Sequence, residues 1–266
     1  MTTHALVVEN LEKYFPPALT GWRALLQPFA RLTIRALGGI SFRVASGEAL
    51  ALIGANGAGK STLLRILATL FLPTQGRAEV AGFDVVREPA RVRGQLGLYT
   101  GADAAFYGRL TARENLEFFA TLNNLPRRET ARSIARNAEL LGLGEALDRQ
   151  VRTLSTGTAH RLGLARALLH EPAVLLLDEP TRSLDPLAAA EFRRFLKNDL
   201  IPRRGTTLVF ASHTLAEVEQ LADRVAVLDA GLLLACDTPR GLLASSGAAT
   251  LEQALQKLTG QAESGS

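Results

Sequence analysis

Short apolar runs and helix-periodic stretches alternate along the chain. Ile40–Val44 and Ala49–Ile53 are runs of strand length flanking a turn at Ser46-Gly47-Glu48. Lys60–Leu72 has helical spacing and predicts a helix stopped by Pro73. Arg77–Val85 predicts a short strand pair, and Gln95–Tyr99 another strand. The character then changes. From Thr111 to His170, Leu, Ala, Glu and Arg recur at helical spacing. Strands resume at Ala173–Leu177 and Thr207–Ala211, with helices at Leu187–Leu200 and Thr214–Ala222. Arg224–Ala235 predicts a hairpin turning at Ala230-Gly231. Such alternation implies an α/β fold around a mostly parallel sheet. The middle stretch implies a helical lobe inserted at about 103–170, and 241–266 predicts a C-terminal helix with a polar tail.

Composition narrows the class. Of 266 residues, 47% are hydrophobic, enough for a substantial core. The net charge is only +4, and no basic run is dense enough to argue for nucleic acid. Lys13, Lys60, Lys197 and Lys257 are the only lysines, so a lysine in a glycine loop stands out. Cys236 is the only cysteine, which excludes an internal disulfide or a cysteine-based metal site and fits a reducing cytoplasm. The first residues lack the layout of a signal peptide, and no apolar run approaches the ~20 residues of a membrane helix. A soluble protein is expected, or one attached to a membrane through a partner.

Two stretches carry phosphate chemistry. GANGAGKST, residues 54–62, fits G-x-x-x-x-G-K-[ST], with a predicted strand before it and a predicted helix after. Its glycines let backbone N–H groups converge on phosphate oxygens. Lys60 adds a charge near the β- and γ-phosphates, and Ser61 a hydroxyl for Mg²⁺. AVLLLDEP, residues 173–180, reads as a buried parallel strand ending in two carboxylates. Asp178 can hold Mg²⁺ through water, and Glu179 can orient and deprotonate an attacking water. LSTGT, residues 154–158, has no base or metal ligand, yet it falls at a predicted helix start, where N–H groups favour an anion. Ser155 is there either a plain N-cap or a phosphate donor, and the two are compatible.

Together these residues resemble the nucleotide-binding subunit of an ABC transporter, in order and over nearly the whole chain. GANGAGKST is similar to the Walker A, LLLDEP to the Walker B with its glutamate, and LSTGT to the signature loop, followed by HRLGLARALLHEP. SLDP, residues 183–186, resembles the D-loop, and His213 after TTLVFAS the switch histidine. The resemblance implies a P-loop NTPase core with an antiparallel β subdomain and the helical lobe, in a nucleotide-binding domain spanning 1–240. It implies ATP and Mg²⁺ as cofactors. Phe15 would stack on adenine, with Tyr14 as the alternative. Gly54, Asn56, Gly57, Gly59, Lys60, Ser61 and Thr62 would bind ATP, Ser61 and Asp178 the metal, and Lys60, Glu179 and His213 would be catalytic. Ser155, Gly157 and Asp185 would act in trans, on the ATP of a second copy bound head to tail. FYGRLTARENLEFFATL, PTRSLDP and LEQALQKLTG resemble ATPases of the ABC-2 exporter group. That implies a membrane permease partner, a homodimer of ATPase subunits, no nucleic acid, and a peripheral place on the cytoplasmic face of the cytoplasmic membrane. The alternative is a soluble ABC ATPase of translation or DNA repair, but those usually carry two cassettes or a long coiled coil.

Three departures stand out. An insertion at about 16–37 holds Trp22, Leu25, Leu26 and Phe29 at helical spacing, flanked by Arg23, Arg31 and Arg35 and interrupted by Pro28. It reads as an amphipathic helix that covers its own domain or touches lipid or a membrane partner. Thr158 stands where the signature loop usually has glutamine. A loop glutamine expected near Gly101 or Ala102 is missing; water or Asp103 would fill its place, with Phe106 and Tyr107 anchoring the loop on the permease.

Overall fold

The computed structural model describes residues 4–16, 34–101, 106–201 and 205–263. Two sheets pack around a shared apolar layer. Strands β1 (His4–Phe15), β2 (Ile34–Ala45), β4 (Gln75–Val80) and β5 (Phe83–Asp84) form an antiparallel sheet in the order β2-β1-β4-β5. The larger sheet runs β10-β9-β3-β8-β7-β6. Its strands are β3 (Ala49–Ile53), β6 (Leu96–Tyr99), β7 (Val174–Asp178), β8 (Thr207–Ala211), β9 (Arg224–Asp229) and β10 (Leu232–Asp237). All pairs are parallel except β9–β10, the predicted hairpin. Helix α1 (Lys60–Leu67) lies between the sheets. Its Leu63, Leu64, Ile66 and Leu67 pack with Leu6 and Val8 of β1 and with Leu50, Leu176 and Val209 of the central strands.

Alternate residues of those same strands face the other way. Ala51, Leu175, Leu177, Phe210 and Val227 meet Leu116 and Phe119 of α3 (Ala112–Leu122) and Leu162 and Leu164 of α5 (Thr156–Ala167). A sheet buried on both faces needs continuous apolar strands, which is why VLLLD and TLVFA lack polar–apolar alternation. Helices α3, α4 (Arg127–Leu141) and α5 form the lobe. Helix α2 (Pro89–Gln95) precedes β6. After β7 come α6 (Pro186–Phe195), continued by a π-helical turn at Leu196–Leu200, and then α7 (Leu215–Leu221) after β8.

Several boundaries differ from those expected. β1 is absent from the sequence reading because Asn10, at φ 47°, breaks its alternation: Leu6, Val8 and Leu11 all point inward, and the pairing with β2 shifts between Val8 and Leu11. The end of the 16–37 insertion is strand: Ile34, Arg35 and Leu37 pair with Phe15, Tyr14 and Lys13. The insertion is thus the connection of the β1–β2 hairpin, and Trp22, Arg23, Leu25, Leu26, Pro28, Phe29 and Arg31 lie outside the described residues. Helix α1 ends at Leu67, before Pro73, because Thr69 turns left-handed (φ 61°) and the N–H groups of Leu70 and Phe71 return to the Arg65 carbonyl. The C-terminal helix is two, α8 (Pro239–Ser246) and α9 (Leu251–Glu263), broken at Gly247 with φ 59°. The expected boundary at 240 falls inside α8.

Candidate active site

The central sheet brings three strand ends together. β3 runs into the glycine loop, β7 ends at Asp178, and β8 ends two residues before His213. The Glu179 N–H donates to the Ala211 carbonyl at 3.0 Å and the Ser212 N–H to that of Leu52 at 3.1 Å, so the three ends hold a fixed register. Ligands of open α/β sheets bind at this carboxyl edge.

The glycine loop is wedged against its neighbours. A Cβ on Gly54 would lie 2.1 Å from the Leu228 carbonyl oxygen, and one on Gly59 2.5 Å from that of Ala36. Gly59 also has φ 101°, which disfavours any side chain. It opens α1 without a side-chain cap, so the first helical N–H groups remain available to an anion. Lys60 is only 5% exposed; its Nζ donates to the carbonyls of Gly54 at 2.7 Å and Ala55 at 3.0 Å. Burial pulls its pKa down, opposed by the charges of Glu179 and Asp178. Thr62 follows within the first helical turn, and Asn56 borders the space near Glu179 and His213.

The Ser61 hydroxyl donates to Asp178 Oδ1 at 3.1 Å. Two oxygen donors side by side suit a hard cation that takes its other ligands from phosphate and water. No cluster of three or more His, Cys, Asp or Glu able to hold a metal occurs among the described residues. Glu179 has φ 49°, a left-handed conformation uncommon for a side-chain-bearing residue. Its Oε1 lies 2.9 Å from His213 Nε2, and its Oε2 accepts from Arg182 Nη1 at 3.0 Å. A cavity of about 570 Å³ is lined by Asn56, Glu179, Arg182 and His213. A second, of about 270 Å³, is lined by Ser61, Gly101, His160, Asp178, Glu179 and Arg182. Lys60, Ser61, Asp178, Glu179 and His213 thus converge at this edge.

Other candidates lie elsewhere. Neither Ser155 nor Gly157 lines these two cavities. Ser155 caps α5: its Oγ accepts from the Thr158 N–H at 3.3 Å and lies 2.8 Å from the Thr158 hydroxyl. The residue that departs from the expected glutamine is thereby tied to the cap. A Cβ on Gly157 would touch nothing within 4 Å. Asp185 caps α6, accepting from the N–H groups of Leu187 and Ala188 at 3.0 and 2.9 Å. Phe15 ends β1, edge-on to Phe71 at 5.5 Å with the Lys13 ammonium 4.8 Å from its centroid. Asp103 and Ala102 lie outside the described residues. Phe106 is turned inward: its ring meets Phe119 at 5.9 Å and Arg166 at 6.0 Å, while Tyr107 is 52% exposed and stacks edge-on with Phe118.

Three groups were missed. Tyr99, at the end of β6, bonds His160 Nδ1 on α5 at 2.5 Å, both rings being buried. This ties the helix behind LSTGT to the strand leading into the loop at Gly101. Tyr99→Phe is expected to lower the melting temperature by roughly 2–4 °C, about 1 kcal/mol, in scanning calorimetry; an unchanged value would mean the bond contributes nothing net. Buried Asn115 holds the 107–111 turn through both the N–H and the carbonyl of Tyr107. Thr181 bonds the buried carboxylate of Glu217, joining the turn after Glu179 to α7. A polar residue on an otherwise apolar helix face was the only available signal for each.

Phosphate loop, paired carboxylates and histidine at one sheet edge define a P-loop nucleotide hydrolase. The ABC transporter family model matches residues 37–182, and the chain belongs to that family. It is 37% identical to the ABC transporter ATP-binding protein NatA of Bacillus subtilis (strain 168) over 198 residues, 74% of this chain and 80% of that one. It is 42% identical to the daunorubicin resistance ATP-binding protein DrrA3 of Streptomyces coeruleorubidus over 226 residues, 84% and 70% of the two chains. A solved ATP-binding subunit of an ABC transporter superposes with a TM-score of 0.78 at 26% identity, covering 96% of this chain and 99% of that one. The fold is that of an ABC ATPase, and the chain is an ATPase.

Proposed function

We propose that this chain is the ATP-hydrolysing subunit of an ABC-2-type exporter, acting as a homodimer beneath a separate membrane permease. The convergence of Lys60, Ser61, Asp178, Glu179 and His213 at one sheet edge supports the hydrolytic part. The resistance ATP-binding relatives support the export part. A peripheral place on the cytoplasmic face of the membrane follows from that partner. Among the described residues no helix is long and apolar enough to cross a membrane.

In this reading Lys60 leaves the Gly54 and Ala55 carbonyls for the β- and γ-phosphates, and the N-terminal N–H groups of α1 receive their oxygens. Ser61 and Asp178 would hold Mg²⁺, which supplies charge neutralisation on the phosphates. Phe15 would stack on adenine once the Lys13 ammonium moves from its ring. Glu179 accepts a proton from water as the water oxygen bonds the γ-phosphorus. The bond from that phosphorus to the β–γ bridging oxygen breaks, leaving ADP and phosphate. His213 donates to the γ-phosphate, while Ser155 and Gly157 close on the partner's ATP. Asp185 borders the partner.

The permease would meet Tyr107, Leu110, Phe118 and Leu122, which are exposed on the lobe. This replaces Phe106 with Phe118 as the second anchor. Tyr107→Ala/Phe118→Ala should keep basal ATPase activity and lose most stimulation by the co-expressed permease. Phe106→Ala should instead lower the melting temperature, by about 4–8 °C for about 2 kcal/mol. Full stimulation of the double variant, or no hydrophobic membrane protein copurifying with the wild type, would refute this partner assignment.

A further inference from the structure

Gly101, one of the two places expected for the loop glutamine, has no side chain to offer the site. The cavity of about 270 Å³ beside Ser61 and Asp178 is also lined by Thr100 and Gly101. Glu179 and Arg182 line it as well. Arg182 borders both cavities that flank Glu179.

Its place is fixed by a tight turn. The Arg182 N–H donates to the Glu179 carbonyl at 3.2 Å, and the Leu184 N–H to that of Thr181 at 3.0 Å. Thr181 is held in turn by buried Glu217 on α7, the helix after His213. The turn puts the two side chains on one side, where Arg182 Nη1 meets Glu179 Oε2 at 3.0 Å. His213 meets the other oxygen, Oε1, at 2.9 Å. Each carboxylate oxygen therefore has its own partner.

We infer that Arg182 is a positioning residue for hydrolysis: it pins Oε2 of Glu179 so that Oε1 faces the attacking water once His213 turns to the γ-phosphate. The inference rests on the ATPase reading above. A carboxylate held by one oxygen keeps its plane; one that loses both partners swings about its terminal torsion, which is a soft one. Arginine has no lone pair to offer a cation, so Arg182 would act on Glu179 and not on Mg²⁺. Its remaining guanidinium hydrogens can still donate to the attacking water or to a phosphate oxygen. The side chain is 77% exposed, so the pair contributes almost nothing to folding. Its effect belongs to the closed dimer, where water is excluded and charge pairs act at short range.

The test compares Arg182→Ala and Arg182→Lys with wild type and Glu179→Gln, in steady-state ATP hydrolysis and thermal melting. Arg182→Ala should lose roughly tenfold in kcat with KM for ATP within about twofold, because misplaced catalytic groups cost rate rather than ground-state binding. Arg182→Lys should recover part of that kcat, and both variants should melt like wild type. A kcat within twofold of wild type while Glu179→Gln is inactive overturns the inference and leaves the ATPase reading standing. A raised kcat would make Arg182 a restraint on the base, and a raised KM with unchanged kcat would make it a phosphate ligand; either overturns it. A melting shift that accounts for the lost activity, with no recovery in Arg182→Lys, overturns it too. Wild type without Mg²⁺-dependent turnover would remove both readings together.

Discussion

Glu179→Gln is expected to bind ATP with wild-type affinity, to hydrolyse it at least about a hundredfold more slowly, and to accumulate as an ATP-bound dimer. The amide keeps the size of the carboxylate and still accepts from Arg182, so the turn at 179–182 should persist. What it lacks is a basic oxygen for the proton of the attacking water. It also lacks a negative charge, and the γ-phosphate is then not repelled from the closed site. Binding groups are separate: Lys60 and the N–H groups of α1 come from β3 and its loop, whereas Glu179 follows β7. Affinity and turnover should therefore part company in this variant. Steady-state phosphate release, equilibrium ATP binding and light scattering after chromatography with ATP would measure the three effects. Phosphate release near the wild-type rate would remove Glu179 from the role of base.

How much of this was legible depends on where the constraint lies. The phosphate loop was readable because its requirement is local: Gly59 must be glycine, pressed on the Ala36 carbonyl at positive φ. VLLLDE was readable because a strand buried on both faces must be apolar until the chemistry begins. β1 was not, since repeated register shifts, among them the one around Asn10, replace a period of two with spacing that suits neither strand nor helix. Phe106 and Tyr107 are adjacent in sequence, yet opposite in environment, because Asn115 on α3 orients their turn; only the fold supplies that. The Tyr99–His160 bond spans 61 positions and joins residues that each look like ordinary core. Arg182 reads as a surface arginine until the turn folds it onto Glu179.

The remaining prediction concerns LSTGT. Gly157 sits in the first turn of α5, where glycine costs about 1 kcal/mol relative to alanine. A Cβ there would touch nothing in this chain, so no contact within the chain requires the glycine. Neither it nor Ser155 lines the cavities around Glu179, which is compatible with the proposed role of the α5 N-terminus toward the partner's ATP. Ser155→Arg should then bind ATP normally as a monomer but fail to close the dimer. The cap is a complication, because replacing Ser155 loses its bond from the Thr158 N–H. Ser155→Asp answers it: aspartate caps as well as serine does, yet places a negative charge where the proposed arrangement puts the partner's γ-phosphate. Both variants should be inactive alone, and so should Lys60→Ala. Mixed with Lys60→Ala, either should recover activity, because one site of each mixed dimer then carries both lesions and the other carries none. Random pairing in a two-fold dimer limits the recovery to roughly a quarter of wild type, and less if the two sites must fire together. The decisive control is dilution of the wild type. Turnover per chain should collapse as the protein falls below its dimerisation range, and turnover that stays constant in demonstrably monomeric protein would refute the trans arrangement.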